Sequence, residues 1–340
     1  MSEPISPAGP PAEITHLVRE RTEARAKQDW TRADSLKLEI EAAGWRVVDR
    51  GSKTSVAPAA PATVAVGGEV RYGAASAVPS LLNEPPTAAL TVVLVASEAP
   101  ESVSRLLSGL RDTAPAGTQV VVVANDPSGD QEAALLAGAA DRQPIGGIEP
   151  EVLRTSRRLA IAAALNIGVM RAAGGIVVLA DGSTWPTGDA LSPLVEGLRD
   201  PAVAVVGAFA LGTEEAGLFR PTALERTDDA GVVALEAGWI AFRRADFLAL
   251  GPLDERFVIP AWLDVWWSLR LRAGLDPEVA DETGDQAAPT AIVLPVPRKA
   301  LRLELPLRRA ETVWPPDRSR MARRNMYRVL ASFGWRDDLT

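Results

Sequence analysis

The side chains best placed for chemistry in this sequence are oxygen donors that directly follow aliphatic runs. Asp181 and Ser183 follow the run 176–179, and the segment 125–130 follows the valine run 120–123. A hard divalent cation needs several oxygen ligands and binds charged ones best, so one aspartate with one hydroxyl predicts only a weak cation site. The segment 125–130 has a second interpretation that is at least as good, because Asn, Asp, Pro, Ser and Gly all favour turns for local reasons.

The composition excludes several classes of enzyme site. The chain of 340 residues contains no cysteine and one histidine, His16, in a polar N-terminal segment. Disulfides, thiolate metal sites and cysteine nucleophiles are therefore excluded, and a Ser-His-Asp triad or a multi-histidine zinc site is disfavoured. The net charge of −8 argues against a general binder of nucleic acid or of membrane surfaces. Glycine fingerprints of dinucleotide sites and P-loops are missing, which disfavours dehydrogenases and kinases.

Neither a membrane span nor a signal peptide is predicted. No apolar run approaches the roughly 20 residues that a spanning helix needs. The N-terminus, Met1-Ser2-Glu3-Pro4, lacks the basic region and the apolar core of a signal peptide. We therefore expect a cytoplasmic protein.

Aliphatic runs alternate with helical patterns along the second part of the chain. This alternation predicts an α/β fold with a mostly parallel sheet that is covered on both faces. Open sheets of this kind bind ligands at the carboxyl ends of their strands, where the segments 125–130 and 181–183 fall. Strands are predicted at 91–95, 120–123, 176–179 and 203–206, and helices at 101–111 and 156–173.

The N-terminal part of the chain has a more polar composition. Residues 13–43 predict two helices, with Asp29 as the N-cap of the second, and 45–48 predicts a short strand. Residues 51–87 are rich in Ala, Pro and Gly and predict a linker with one extended piece at 69–72. The expected organisation is a helical hairpin over 1–50, a linker over 51–87 and an α/β domain over 88–340.

Three consecutive segments of the C-terminal half resemble the acceptor-side half of family 2 glycosyltransferases. In that family a small-residue strand leads into an Arg-Arg helix, then a Gly-Gly-Phe-Asp-Glu-x-Phe-like turn, then a Glu-Asp-x-Asp helix that ends in Arg-Leu-x-x-x-Gly. The corresponding segments are 238–247, 251–257 and 263–274. The resemblance implies the GT-A fold of nucleotide-diphospho-sugar transferases and inverting sugar transfer, with Asp264 in the place of the catalytic base.

The same resemblance extends to segments that would bind a nucleotide sugar. The turn 125–130 resembles the family's Asp-Asn-Gly-Ser-Thr-Asp turn, in which Asp126 would accept a hydrogen bond from a base imide or a ribose hydroxyl. Asn166 lies in an Ala-x-Asn-x-Gly segment and would contact the nucleotide or hold the loop. Alternatively, the small residues around it serve close packing of a helix on the sheet. Arg243 or Arg244 would partly replace the charge of a metal ion.

The metal motif departs from the family's pattern. The family's Asp-x-Asp motif binds a divalent cation, usually Mn²⁺ or Mg²⁺, which neutralises the diphosphate. Here Asp181 keeps the first carboxylate and Ser183 replaces the second. A downstream histidine that completes the site in many relatives is also missing, because the only histidine is His16. The resemblance therefore implies at most a weak Mn²⁺ or Mg²⁺ site at Asp181.

The acceptor-side acidic motif is also reduced. Leu263 and Trp266 stand where the family has acids, and only Asp264 is kept. As a residue at the start of a predicted helix, Asp264 has an equally good interpretation as an acid that the helix dipole stabilises. Residues 318–328 resemble the family's arginine-rich tail helix, whose arginines would meet a diphosphate, acidic lipid heads or only solvent.

The N-terminal segment resembles the small C-terminal domain of cysteinyl-tRNA synthetases, which helps to recognise the anticodon. The pairs Ala24-Arg25, Asp29-Trp30 and Ala33-Asp34 fall in register with that family, as does Asp49. The synthetase's catalytic motifs are missing, so aminoacylation is not predicted. The charged residues have an alternative interpretation as the solvated face of a helical hairpin. Because basic and acidic residues nearly balance, we expect tRNA binding to be weak or absent.

These patterns lead to one favoured function and two alternatives. The favoured function is inverting transfer from a nucleotide-diphosphate sugar to a glycan acceptor, with Asp264 as general base. The first alternative is a catalytically degenerate GT-A domain that binds a nucleotide sugar, glycan or protein without turnover. The second is a tRNA-associated adaptor that acts through residues 13–50.

Overall fold

The chain folds into two compact units, residues 1–61 and 62–340, in a computed structural model. The structure describes residues 10–43, 45–50, 53–59, 61–97, 99–141, 143–215, 218–224, 232–235, 239–274, 291–293, 296, 300–303 and 316–334.

The smaller unit packs a helix pair against a β-hairpin. Its elements are α1 Ala12–Ala26, α2 Trp30–Ala42, β1 Trp45–Arg50 and β2 Lys53–Pro58, and the two strands pair antiparallel. The side chain of Asp29 caps α2 by accepting a hydrogen bond from the Arg32 N–H at 3.0 Å, which confirms the predicted N-cap. Ala24, Ala33 and Leu36 form the small core between the helices.

A bidentate ion pair joins the helices of the smaller unit to its hairpin. Arg21 is only 5% exposed, and its Nη1 and Nη2 donate to Asp49 Oδ1 and Oδ2 at 2.7 and 2.9 Å. This hydrogen bonding from Arg21 holds the pKa of Asp49 below its ordinary value, and Thr54 adds to the effect. Arg25 also donates to Asp49. These two arginines are therefore part of the fold of the unit.

The larger unit alternates strands with helices, as the sequence predicts. Its strands are β3 Val64–Val66, β4 Glu69–Tyr72, β5 Ala88–Ala96, β6 Thr118–Ala124, β7 Glu151–Thr155, β8 Gly174–Ala180, β9 Thr184–Pro186, β10 Val203–Gly207, β11 Ala210–Glu215, β12 Leu218–Leu224, β13 Ala234–Leu235, β14 Trp239–Arg243, β15 Ala291–Val293 and β16 Leu301–Leu303. Its helices are α3 Pro100–Thr113, α4 Gly129–Asp141, α5 Ile161–Val169, α6 Ser192–Gly197, α7 Arg244–Leu250, α8 Leu263–Ala273 and α9 Pro316–Phe333.

The central sheet of the larger unit is mostly parallel. Among the described residues it has nine strands in the order β15-β10-β14-β8-β5-β6-β7-β4-β3. The neighbours β8, β5, β6, β7 and β4 run parallel, whereas β14 runs antiparallel to both β8 and β10. The predicted α/β fold with a mostly parallel sheet is confirmed.

Helices and apolar cores cover both faces of this sheet. One core joins alternate residues of the central strands, such as Val93 and Val121, to apolar residues of α5, α7, α8 and α9. The other core joins Leu90, Val92 and Leu94 to apolar residues of α3 and α6. Gly168 of α5 lies so close to the sheet that a Cβ there would overlap Val93, which confirms that small residues let this helix pack closely.

The structure differs from the predicted linker over 51–87. β2 completes the hairpin of the smaller unit, and β3 with β4 forms an antiparallel pair at the edge of the central sheet. β4 pairs parallel with β7, and Arg154 donates to Glu69 and to Glu132, both at 2.6 Å. The predicted extended piece at 69–72 is β4, which confirms that prediction. The sequence pattern missed β2 and β3, because backbone pairing holds them while valines such as Val64 stay exposed.

Candidate functional site

The carboxyl ends of the parallel strands meet along one edge of the sheet. Ala96 of β5 lies opposite Ala124 of β6, Ala124 lies opposite Arg154 of β7, and Leu94 lies opposite Ala180 of β8. The residues that follow, including Asp126 and Asp181, therefore share this edge. Open parallel sheets bind their ligands there.

A cavity at this edge contains both Asp181 and Asp264. Its volume is about 80 Å³, which holds on the order of five water molecules and so accommodates the reacting end of a ligand. Apart from the two carboxylates the walls are apolar, so charged groups inside it interact in a poorly screened environment. The other lining residues are Val95, Ile161, Leu165, Leu179, Ala180, Ile240, Pro260, Leu263 and Trp267.

Asp264 lies in the first turn of α8 and is half-buried. Its Oδ1 accepts a hydrogen bond from the Val265 N–H at 2.9 Å, which orients the carboxylate near the helix N-terminus. Trp262, just before the helix, has φ +70°, a conformation that costs a bulky residue about 1–3 kcal/mol. The fold therefore holds the residue before Leu263 and Asp264, which line the cavity, in a strained conformation.

Asp181 follows β8 and shapes the turn after it. Its Oδ1 accepts a hydrogen bond from the Ser183 N–H at 2.7 Å. The Ser183 Oγ and the Thr184 Oγ1 are buried, and within the described part of the chain neither has a hydrogen-bond partner. The carboxylate thus has one oxygen committed to its own turn.

The donor set around Asp181 does not fit a conventional Mn²⁺ or Mg²⁺ site. Hard cations take six or more oxygen ligands and are held most tightly by several carboxylates. Over the described residues, no group of three or more His, Asp or Glu side chains is placed to hold a metal ion. Asp181 is the carboxylate of this turn, and Ser183 supplies a hydroxyl where a second carboxylate would be needed.

Asn125 organises the turn in which Asp126 lies. It is 3% exposed; its Nδ2 donates to the Leu159 O at 3.1 Å, and its Oδ1 accepts from the Leu159 N–H at 2.8 Å. Asp126 is exposed, has φ +48°, and donates its N–H to the Thr155 Oγ1 at 3.1 Å. The turn interpretation therefore holds for the backbone, and contact of Asp126 with a nucleotide stays a prediction.

Asn166 does not reach the edge of the sheet, which corrects its prediction as a nucleotide contact. It is fully buried in α5, where its Nδ2 donates to the Leu253 O at 2.9 Å and to the Glu255 Oε1 at 3.3 Å. Its Oδ1 accepts from the Leu253 N–H at 2.9 Å. Asn166 therefore holds the loop before α8, which is the alternative role that the sequence left open.

Arg243 and Arg244 lie at the opposite edge of the sheet from Asp181, so their predicted contact with a diphosphate is wrong. Arg243 pairs with Ile176, the amino-terminal part of β8, and donates to the carbonyls of Leu198, Asp200 and Val203. Arg244 is 8% exposed and donates to the carbonyls of Leu81, Glu84 and Ala172. Because β14 runs antiparallel to β8, its end with Arg243 lies away from the ligand edge. Both arginines bind backbone carbonyls there.

One face of the tail helix α9 packs against the rest of the larger unit. Ala322, Asn325, Val329 and Phe333 are buried, and the Asn325 Nδ2 donates to the Ala261 O at 2.8 Å. Arg318, Arg320, Arg323 and Arg324 are exposed, as expected for the polar face of an amphipathic helix.

Two residues near the site were missed by reasoning from the sequence. Arg105 of α3 lies over the ring of Trp185, with its Cζ 4.7 Å from the ring centroid. Trp267 lines the cavity, is fully buried, and its Nε1 has no hydrogen-bond partner among the described residues. Arg105 belongs to no recognisable motif, and the apolar spacing around Trp267 in the segment 263–274 predicts core packing and does not indicate a site.

Comparison with known proteins finds a family match within each of the two units. Residues 91–248 match the family described as glycosyl transferase family 2. This match supports the resemblance to family 2 glycosyltransferases over that segment of the larger unit. Asp126, Asn166 and Asp181 lie inside the matched segment, whereas Asp264 lies beyond it. Residues 8–56 match the cysteinyl-tRNA ligase anticodon binding domain, which confirms the second resemblance.

The relatives differ in how much of them this chain covers. A cysteine–tRNA ligase from Opitutus terrae is 42% identical over 60 residues, which are 17% of this chain and only 13% of the ligase. The mannosyltransferase PcManGT from Pyrobaculum calidifontis, solved with GDP-Man and Mn²⁺, has 16% identity and a TM-score of 0.50, over 75% of this chain and 67% of that one. TarS 1–349 from S. aureus has 14% identity and a TM-score of 0.45, over 72% and 66%. The mannosyltransferase likeness shows the fold, that of GT-A glycosyltransferases.

No helix among the described residues is long and apolar enough to span a membrane.

Proposed function

We propose that the larger unit transfers a sugar, with inversion, from a nucleotide-diphosphate sugar to the hydroxyl of a glycan acceptor. The observation that carries this proposal is the cavity that Asp181 and Asp264 share at the ligand edge of the sheet. The nucleotide would lie over the ends of β5 and β6 beside Asp126, and the diphosphate beside the Asp181 turn. A donor of this class is bound, as GDP-Man, by the mannosyltransferase of the same fold.

In the proposed reaction Asp264 is the general base. The acceptor oxygen attacks the anomeric carbon while Asp264 takes the proton of that hydroxyl, and the bond between the anomeric carbon and the phosphate oxygen breaks. The nucleoside diphosphate leaves with the electron pair of that bond. Most of the cavity wall is apolar, so the proton would pass to Asp264 in an environment where charges interact strongly.

A divalent cation, when bound, would neutralise the diphosphate as it leaves. The mannosyltransferase was solved with Mn²⁺, but the donor set at Asp181 fits such an ion poorly. No step assigned to Asp264 depends on that ion.

A binding domain without turnover is the second candidate. It is favoured by the loss of acidic residues at Ser183, Leu263 and Trp266, and by the use of Asp181 to hold its own turn. Both candidates require that a nucleotide sugar binds, and only the first requires that nucleoside diphosphate is released.

A donor screen separates these candidates. UDP- and GDP-linked hexoses are added to the full chain with and without Mn²⁺, and both the melting temperature and the release of nucleoside diphosphate are measured. A melting temperature raised by one donor, with release of its diphosphate, supports transfer. Stabilisation without release in the presence of glycan acceptors supports the binding domain, and no stabilisation by any donor contradicts both.

The N-terminal unit supports a further alternative, a tRNA-associated adaptor, through its match to an anticodon binding domain. Many of its basic residues are engaged within the unit: Arg21 and Arg25 pair with Asp49, and Arg32 pairs with Glu20. We therefore propose that this unit binds tRNA weakly or not at all. A shift of tRNA by the full chain at physiological salt, weakening steeply as salt rises, would establish the adaptor instead.

A further inference from the structure

The leaving diphosphate needs a positive partner, and the Asp181 turn lacks the acids that would hold a divalent cation. Asp181 directs one carboxylate oxygen to the Ser183 N–H, and Ser183 itself supplies only a hydroxyl. The predicted substitutes, Arg243 and Arg244, hold carbonyls at the opposite edge of the sheet. A basic side chain near this turn would supply the positive charge that the diphosphate needs.

The chain after Asp181 runs along α3, and this contact brings such a cation to the turn. A Cβ built on Gly182 would lie 3.5 Å from the Ser102 Cβ in the first turns of α3. Further along, the backbone of Pro186 touches Gly109 of the same helix so closely that a Cβ at Gly109 would lie 2.5 Å from the Pro186 O. Trp185 therefore faces the middle of this helix, where Arg105 stacks on its ring.

The guanidinium of Arg105 lies between the Trp185 ring and Ser102. Its Cζ lies 4.7 Å from the Trp185 ring centroid, and its Nη2 donates to the Ser102 Oγ at 3.3 Å. Ser102 lies toward the N-terminus of α3, the end that follows the carboxyl end of β5. A guanidinium held by an aromatic face loses little further freedom when it binds a phosphate, and its planar fork matches phosphate oxygens.

The Ser183 hydroxyl adds a neutral donor at the same turn. Its Oγ has no hydrogen-bond partner among the described residues, although Ser183 as a whole is only half-buried. A buried hydroxyl without a hydrogen bond is costly, and a phosphate oxygen would satisfy it.

We propose that Arg105, with the hydroxyl of Ser183, forms a binding site for the donor's diphosphate that works without a divalent cation. This inference rests on the proposed function, since it assigns the charge that stabilises the same leaving group. Arg105 would bind the diphosphate in the ground state and more strongly as negative charge develops on it.

The test compares nucleoside diphosphates with monophosphates by calorimetry on the full chain in EDTA. UDP and GDP are the probes, and UMP and GMP lack the second phosphate. The wild type should bind the diphosphate of its preferred base at least tenfold more tightly than the monophosphate. Arg105→Gln should remove most of this preference and leave the monophosphate affinity unchanged, while Arg105→Lys should keep part of it.

Arg111→Gln is the matched control, because Arg111 lies in the last turn of the same helix, away from the ligand edge. It should bind both nucleotides as the wild type does. Diphosphate binding that appears only with Mn²⁺, or that Arg105→Gln leaves intact at an unchanged melting temperature, would overturn the inference and leave the proposed transfer standing. Failure to bind any of the four nucleotides, with or without Mn²⁺, would overturn the proposed function together with this inference.

Discussion

Asn166→Asp should destabilise the larger unit because it reverses two buried hydrogen bonds while keeping the shape of the side chain. The Asn166 Nδ2 donates to the Leu253 O at 2.9 Å and to the Glu255 Oε1 at 3.3 Å. An aspartate would place an acceptor oxygen against a carbonyl and a carboxylate, whereas the bond accepted from the Leu253 N–H would survive. A buried charge that loses its partner costs about 3–5 kcal/mol.

This cost should appear as a loss of about 3–5 kcal/mol in the free energy of unfolding, measured in urea by tryptophan fluorescence. The fluorescence reports this region because Trp266 and Trp267 are buried in the core that α5 shares with α8. Acidification should narrow the difference from wild type, since a protonated carboxyl can again donate. Asn83→Asp makes the same chemical change at an exposed position and should alter stability by less than about 0.5 kcal/mol. Equal stabilities for the two variants would refute the loop-holding role and restore a nucleotide contact as the explanation of Asn166.

Three further predictions concern the boundary between the units, the Asp181 turn and the Arg21–Asp49 pair. Limited proteolysis should cut near residue 61 and leave a folded fragment that includes β3 and β4; a stable fragment that begins only near residue 88 would contradict the placement of these strands in the larger unit. Ser183→Asp should strengthen Mn²⁺ binding measured by calorimetry, because it adds a carboxylate to the Asp181 turn, and an unchanged affinity would show that the turn does not face the cation. Because Arg21 lowers the pKa of Asp49 in the folded state, the pair stabilises the smaller unit above the unfolded pKa of about 4, and this contribution is lost as the pH falls through the lower folded pKa. Thermal melts of wild type and Asp49→Asn should therefore differ at pH 7 and converge at strongly acidic pH, and a constant difference would contradict this linkage.

The core strands could be predicted from the sequence because burial on both faces requires aliphatic residues. The runs at 91–95, 120–123, 176–179 and 203–206 are core strands of the central sheet, and each is aliphatic because helices cover both faces. The extended piece at 69–72 was predicted, but its place at the edge of the central sheet could not be predicted in the same way. That place depends on pairing with β7 and on the contact of Arg154 with Glu69, which are 85 residues apart in the chain.

The acidic residues of the site could be predicted from the sequence, whereas its basic residues could not. Asp181 and Asp264 stand in recognisable segments, and the fold brings them to one cavity from positions far apart in the sequence. Arg243 and Arg244 have the right charge for a diphosphate, but the direction of β14 alone decides which edge of the sheet they reach. Arg105 has no motif around it, and only the packing of α3 against Trp185 shows its place.

The proposed transfer depends on removal of the acceptor proton by Asp264, and turnover by Asp264→Asn beside Asp189→Asn tests this role. Asp189 is also an acid at a helix start, where its Oδ1 accepts from the Leu191 and Ser192 N–H groups, so it matches Asp264 in a purely capping role. If Asp264 is the general base, Asp264→Asn should lower the rate of transfer by about 10²–10⁴-fold at nearly unchanged melting temperature, whereas Asp189→Asn should keep the wild-type rate. A transfer rate in Asp264→Asn equal to that of Asp189→Asn, with only the ~0.3–1 kcal/mol loss of a helix-end charge in both, would contradict this role.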